Sequence, residues 1–476
     1  MQKKPSVLLI TIDTLRPDHL GYSGYERNTS VHIDKIAKAG IIFDNAIAQD
    51  TWPAPSMVSI STSTYSFCHN VSYYGDSIDN SLSTLPGVLK KNGYQTCFIG
   101  PYILSQIGNF ARDFDFFNVG VRKNIFFGFS RFTIIINLAV KFILYHFPLI
   151  SRYCVTIYDR IIKIINNSRA DIVTKKAIKW LKGNSSKPFF LWVHYFDTHA
   201  PYRPPPSCSK AFFDDGFEQK IRRSLPILWK TMFGLGGISK YITERNINDA
   251  EYYVSQYDGA IYFIDRQIGV LSSFLESLKL EKDTLIILSS DQGEYMGEHD
   301  FYFSHAGVPL EPVIKVPLII KYSKVLPAGV SINFPVQTID IAPTVVDILG
   351  ISRPLTFQGS SLLDAMLKRK CCHAPYVFTG DKKTIAVRTD QYKLIYIDSK
   401  EIERFEKRKL LSLLHSPAYL QLKHLFGSSG FPEYLFYDLK NDPLEANNLI
   451  DTEKEKAEAF KKILFGILSQ SCPKYD

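Results

Sequence analysis

The sequence predicts an α/β protein: a mostly parallel sheet sandwiched by helices, followed by a small C-terminal α+β subdomain. Three observations carry this. Apolar strand-like runs alternate with helix-like segments as far as Gly350, the pattern of a parallel sheet covered on both faces. Two of those runs, Val7-Leu8-Leu9-Ile10-Thr11-Ile12 and Leu285-Ile286-Ile287-Leu288, read as buried strands, and each delivers an Asp at its exit, Asp13 and Asp291. From Pro375 the texture changes to short strands, a basic segment and a terminal helix.

The chain of 476 residues can hold one large α/β domain and a smaller one. The expected division is 1–365, carrying a hydrophobic insertion over 119–165, and 375–476. A hydrophobic fraction of 45% with 22% charged residues is that of a globular protein. The net charge of +9 suits an anionic substrate or a membrane surface, and a solvated basic exterior explains it equally well. No nucleic-acid partner is expected. Seven cysteines at irregular spacing give neither a disulfide framework nor a paired metal-ligand pattern, and suit a reducing compartment. Met1-Gln2-Lys3-Lys4-Pro5 passes directly into the first strand without the apolar run of a signal peptide. A cytoplasmic protein is expected, with membrane association left open.

In order along the chain, Asp13 is followed by a glycine-punctuated loop and a helix from Val31 to Ala39, stopped by Gly40. Ile41-Ile42-Phe43 is a short strand. The proline-broken stretch Asp50 to Ser56 leads into a helix rich in small residues, Met57 to Thr64, whose N-terminus is a natural oxyanion site. Leu85 to Lys91 reads as a helix and Gly93 to Gly100 as the next strand. Residues 125–150 are aromatic and aliphatic and approach the roughly 20 residues of a membrane span. Lys141 interrupts them where a charge is costly. A buried or capping helical insertion, an interfacial amphipathic helix and a span all stay open. A helix from Asp171 to Lys182 precedes the strand Pro188 to His194, whose exit carries His194, Asp197 and His199. Tyr252 to Leu278 is a long amphipathic helix, with Asp258 and Asp265 expected on its solvated face. Glu298, His299 and His305 follow Asp291. Val316 to Lys321 reads as a strand and Ala342 to Leu349 as a helix stopped by Gly350; Thr384 to Arg388 and Tyr392 to Ile397 are strands of the C-terminal unit.

Two carboxylates at strand exits, with the amide oxygen of Gln292, make a hard, oxygen-rich site suited to Ca²⁺ or Mg²⁺. The alternative is that each Asp caps the helix that follows it.

These motifs, in this order, resemble the sulfatase family of the alkaline phosphatase superfamily. The match is carried by Ile12-Asp13-Thr14-Leu15-Arg16-Pro17-Asp18-His19, by Trp52 to Thr62 with Cys68-His69-Asn70-Val71, and by His194 to Pro201. It continues through Ser290-Asp291-Gln292-Gly293-Glu294-Tyr295-Met296-Gly297-Glu298-His299, Lys315 to Ile320, Asp340 to Thr344, and the closing segment Tyr437 to Leu449. The resemblance implies an alkaline-phosphatase-like fold and one divalent cation on Asp13, Asp291 and Gln292: Ca²⁺ first, with Mg²⁺ or Mn²⁺ as alternatives. It matches His199 to the histidine that contacts the transferred group, and His305 to a histidine that some members place ahead of the strand entering Val316-Pro317.

The departures are as informative. Sulfatases attack with a formylglycine made from Cys or Ser in a Cys-x-Pro-Ser-Arg motif, and relatives use an unmodified Thr. Aligning Pro55-Ser56 with the motif puts Pro53 at the nucleophile position and Met57 at the arginine. Thr14 replaces a second Asp ligand, and Pro101-Tyr102-Ile103 stands where many members carry Lys-Trp-His. The implied function is a metal-dependent hydrolase of sulfate or related phosphate and phosphonate esters. Its nucleophile would be Thr51, Ser56 or a water. A catalytically impaired pseudoenzyme, and a phospho-group transferase acting on a membrane-borne substrate through residues 125–150, are the alternatives.

Overall fold

The computed structural model describes residues 4–119, 169–200, 202–213, 249–305, 307–368, 375–408, 417–426 and 431–471. The expected insertion over 119–165, and with it the 125–150 stretch, lies outside the described residues apart from Val119. Among the described residues no helix is long and apolar enough to cross a membrane.

The first half contributes β1 (Ser6–Ile12), α1 (Val31–Lys38), β2 (Ile41–Phe43), β3 (Ala46–Ile47), α2 (Pro53–Thr62), α3 (Ser66–His69), α4 (Leu85–Lys91), β4 (Gln95–Ile99) and β5 (Phe116–Asn118). Next come α5 (Ala170–Asn184), β6 (Phe189–Tyr195), α6 (Ala250–Ser277), β7 (Thr284–Ser290), β8 (Lys315–Val316), β9 (Leu318–Lys321), β10 (Val330–Ile332), β11 (Val336–Gln337) and α7 (Ile341–Ile348). The C-terminal unit holds β12 (Val377–Gly380), β13 (Thr384–Arg388), β14 (Tyr392–Ile397), β15 (Tyr434–Asp438) and α8 (Lys454–Ser471).

The main sheet has eight strands in the order β10-β2-β9-β7-β1-β6-β4-β5. β1 lies parallel between β6 and β7, and β9 alone runs antiparallel to its neighbours β7 and β2. The pleat sends successive side chains to opposite faces. Leu8, Ile10, Ile12, Leu191, Val193, Ile286 and Leu288 join the core under α1, α5 and α6. Val7, Leu9, Phe190, Trp192, Leu285 and Ile287 join the one under α2, α4 and α7. Both faces are therefore covered, which is why these strands read as continuous apolar runs.

The smaller antiparallel sheet runs β12-β13-β14-β15 and packs α8 through Ala457, Phe460 and Leu464. It is fastened to the main sheet's loops by a buried charge network. Lys393 on β14 is fully buried; its Nζ meets Glu445 Oε1 at 2.5 Å, Glu311 Oε1 at 3.2 Å and the Pro309 carbonyl at 3.0 Å. Arg388 grips both oxygens of Glu311, at 2.8 and 3.0 Å. Against the cost of burial, those two cations hold the Glu311 carboxyl well below the usual range.

Three expectations are corrected. Helix α2 begins at Pro53 rather than Met57, because proline is well suited to the first helical turn, where its missing N–H would have no partner anyway. Asp258 and Asp265 are buried, not solvated. Asp258 accepts from Tyr25 Oη (2.8 Å) and Arg27 Nη1 (2.6 Å) and faces His19 Nδ1 at 2.8 Å. Asp265 accepts from the His32 and Ile33 N–H groups at the start of α1. Cys68 is disulfide-bonded, whereas Cys97 and Cys208 are free.

Candidate metal centre and its surroundings

Because β1, β6 and β7 are adjacent and parallel, their C-terminal ends open on one edge of the sheet, where such folds place ligands. Ile12 pairs with Tyr195 on one side and Ser290 on the other, so Asp13 and Asp291 leave the sheet side by side. The turn after β1 is tight. Thr14 sits at φ 52°, a strained value for a β-branched residue. Its N–H reaches Asp291 Oδ1 at 3.2 Å, while its hydroxyl donates to the Thr198 carbonyl at 2.9 Å. Thr14 thus braces the site where the family pattern often has an acid.

Gln292 Nε2 donates to Asp13 Oδ1 at 3.1 Å. Asp13 Oδ2, Asp291 Oδ2 and Gln292 Oε1 are buried without any hydrogen-bond partner. His194, the penultimate residue of strand β6, points Nε2 toward the same place, 3.9 Å from Asp13 Oδ2 and 4.0 Å from Asp291 Oδ2. Its other nitrogen meets Thr11 Oγ1 at 2.8 Å, and Thr11 Oγ1 also accepts from Trp192 Nε1 at 2.9 Å. One ligand atom each from Asp13, His194 and Asp291 lie within 4.8 Å of one another. Burial, reinforced at Asp291 by the neighbouring Asp13, pushes both carboxyls well above the usual range. Paired anions without donors are costly in an interior and are relieved by a cation. The residues present therefore fit a divalent metal: three hard oxygens, with an imidazole whose second nitrogen is held from behind, as in many metal sites.

A second group flanks this cluster. His199 stacks on Phe196 at 4.6 Å between ring centroids and meets His305 edge-on at 5.1 Å. His305 packs against Trp52 at 5.5 Å, and its Nδ1 lies 3.3 Å from Oε1 of the fully buried Glu294. Burial lowers the His305 imidazole, although the nearby Asp13 charge works against this. Burial raises the Glu294 carboxyl to about 8. Half-buried Tyr74 packs on Trp52, and burial together with the Asp13 and Asp291 charges pushes its hydroxyl well above the usual range.

Of the residues expected from sequence, the structure thus gathers Asp13, Asp291 and Gln292 at one point and His199 and His305 beside it. Thr51 and Ser56 are placed differently. Thr51 Oγ1 donates to the Gly307 carbonyl at 3.4 Å, and Ser56 Oγ donates to the Asp50 carbonyl at 3.0 Å. Pro53 opens α2 behind Trp52, and Met57 is fully buried. The sequence marks His194 only as one of a strand-exit pair and Glu294 only as part of a family motif, neither with a place at the metal. The signal for His194 was a single imidazole closing an otherwise apolar strand.

The fold is alkaline-phosphatase-like, and the cluster offers a set of ligands for a metal ion. A family model described as Sulfatase matches residues 5–351, and one described as N-sulphoglucosamine sulphohydrolase, C-terminal, matches residues 297–420. Among relatives, an N-acetylglucosamine-6-O-sulfatase of Bacteroides thetaiotaomicron is 22% identical over 97% of this chain and 84% of its own. An arylsulfatase of Clostridium perfringens is 24% identical over 97% and 94%. A protein solved in complex with its substrate D-glucosamine-2-N,6-O-disulfate superposes with a TM-score of 0.70 at 19% identity, covering 100% of both chains. The phosphonate monoester hydrolase of Agrobacterium radiobacter gives 0.71 at 18% identity, over 98% and 96%. The chain belongs to the sulfatase family of hydrolases.

Proposed function

We propose that this protein hydrolyses sulfate esters, with phosphate and phosphonate esters as related substrates, using one divalent cation held by Asp13, Asp291 and Gln292, with His194 completing the set. The observation that carries the reading is the convergence of three buried, unpartnered oxygens at neighbouring strand exits. Hard oxygen donors favour Ca²⁺; the imidazole of His194 makes Mn²⁺ the competitor, with Mg²⁺ behind it. When bound, the cation supplies Lewis-acid polarisation of the ester oxygens. His199 and His305 sit where the transferred group and the departing alcohol exchange charge and protons. Thr51 and Ser56, whose hydroxyls are committed to carbonyl oxygens, hold the loop into α2.

The sequence expectations of cytoplasmic residence and of peripheral membrane contact through 125–150 are separate from this reading. Sedimentation with anionic vesicles, and release by salt, tests the second.

The test of function is turnover of aryl sulfate, phosphate and phosphonate esters with Ca²⁺, Mg²⁺ or Mn²⁺, beside Asp291→Ala. Metal-dependent turnover that vanishes in the variant supports the proposal. Tight metal binding by calorimetry without turnover of any ester overturns it and leaves the impaired pseudoenzyme, the outcome Pro53 would explain.

A further inference from the structure

By the family resemblance Pro53, which has no nucleophilic atom, falls at the nucleophile position, and the hydroxyls of Thr51 and Ser56 on either side are turned to carbonyl oxygens. What the structure does hold beside Asp13 is an acid–imidazole pair. Glu294 lies just beyond the exit of β7, fully buried, with Oε1 3.3 Å from His305 Nδ1 and Oε2 without a partner. The His305 ring is fixed between Trp52 at 5.5 Å and His199 at 5.1 Å, and its Nε2 makes no hydrogen bond among the described residues. An oxygen that accepts from the Nδ1–H of an imidazole selects the tautomer that leaves the lone pair on Nε2, as in acid–base–nucleophile triads. Here the nucleophile side chain is missing from the third place.

Resting on the hydrolase reading above, we propose that the reaction is a single displacement by water, with His305 as the general base and Glu294 as the positioning residue that orients it. Water oxygen forms the new bond to sulfur or phosphorus, and its proton goes to His305 Nε2. The bond from sulfur or phosphorus to the alcohol oxygen breaks, and the electron pair leaves with that oxygen. His199 hands a proton to the alcohol and takes one back from solvent, and His305 releases its own to solvent. Products are the alcohol and the free sulfate or phosphate, with no covalent enzyme intermediate.

The experiment uses the metal-supplemented protein and whichever aryl ester it hydrolyses. Acid-quenched wild-type protein is digested and weighed during turnover; no peptide should carry a sulfuryl or phosphoryl adduct. His305→Ala should lower kcat by about 10²–10⁴-fold, and free imidazole should restore at least about tenfold of the loss, a rescue that a purely structural histidine would not show. Glu294→Gln should lower kcat about a hundredfold with KM little changed. An adduct on any peptide, or the absence of imidazole rescue, overturns single displacement while leaving the hydrolase intact. Unchanged kcat in Glu294→Gln removes Glu294 from the mechanism. A wild-type protein inert to every ester overturns the hydrolase reading, and this inference with it.

Discussion

Gln292 Nε2 donates to Asp13 Oδ1 across 3.1 Å, so the amide beyond β7 is anchored to the acid beyond β1 and its own carbonyl oxygen is left facing the cluster. An apolar or capping role would not strand three oxygens in this way. A cation at saturating concentration should therefore raise the thermal midpoint of the wild-type protein, by about 2.7 kcal/mol of stability at a hundred times its Kd. Asp291→Ala should lose that shift. Calorimetric scans with and without Ca²⁺ or Mn²⁺ check this; an undiminished shift in the variant would place the metal elsewhere.

Asp197, beyond β6, gives a pH dependence. One of its oxygens is buried without a partner, and burial, against the Ala170 N–H that it accepts, raises the carboxyl from 3.8 to about 7. A folded-state value above the unfolded one means that the folded protein holds the proton more tightly. The contribution to stability is present below 3.8 and is lost as pH rises toward about 7. Asp197→Asn keeps an acceptor for Ala170 and abolishes the ionisation. Urea midpoints should fall less steeply with pH in the variant than in wild type across that window; parallel curves would rule the assignment out.

The Lys393 network should behave as a buried charge cluster does when one partner is removed. Lys393→Met strands Glu445 and weakens the hold on Glu311, and should cost about 3–5 kcal/mol. Adding Glu445→Leu should recover part of that loss. Denaturant titration followed by tryptophan fluorescence distinguishes this from a pair that contributes nothing, for which both variants would match wild type.

Ser56→Ala and Thr51→Val address the hydroxyls. Each loses one hydrogen bond to a carbonyl, so a stability cost of about 1 kcal/mol is expected, with kcat within a few-fold of wild type. A collapse of kcat in either variant at unchanged stability would restore it as the nucleophile.

Much of this arrangement was legible in the chain itself. Val7 to Ile12 and Leu285 to Leu288 advertise buried strands, and Asp13, Asp291 and Gln292 lie where such strands end. Helix α2 starts four residues ahead of Met57 because Pro53, which looks like a breaker, is at home in a first helical turn. Asp258 and Asp265 misled because helical periodicity locates a polar stripe without saying what covers it. Here the loop before α1 brings Tyr25 and Arg27 onto Asp258, and the first N–H groups of α1 onto Asp265. His194 needed the register with Thr11, and the Glu294–His305 pair needed a loop to fold back on itself; neither is a property of a local window.

The central position of β1 has a consequence for how the molecule forms. Its partners at the site arrive late in the chain: His194 stands 183 residues from Thr11, and Gln292 stands 279 residues from Asp13. No short segment can assemble the cluster alone, and pairings of such high sequence separation form slowly. A cation added during refolding would have nothing complete to bind until both flanking strands had docked on β1. The gain of metal affinity during refolding would then serve as a clock for the closing of the sheet's centre.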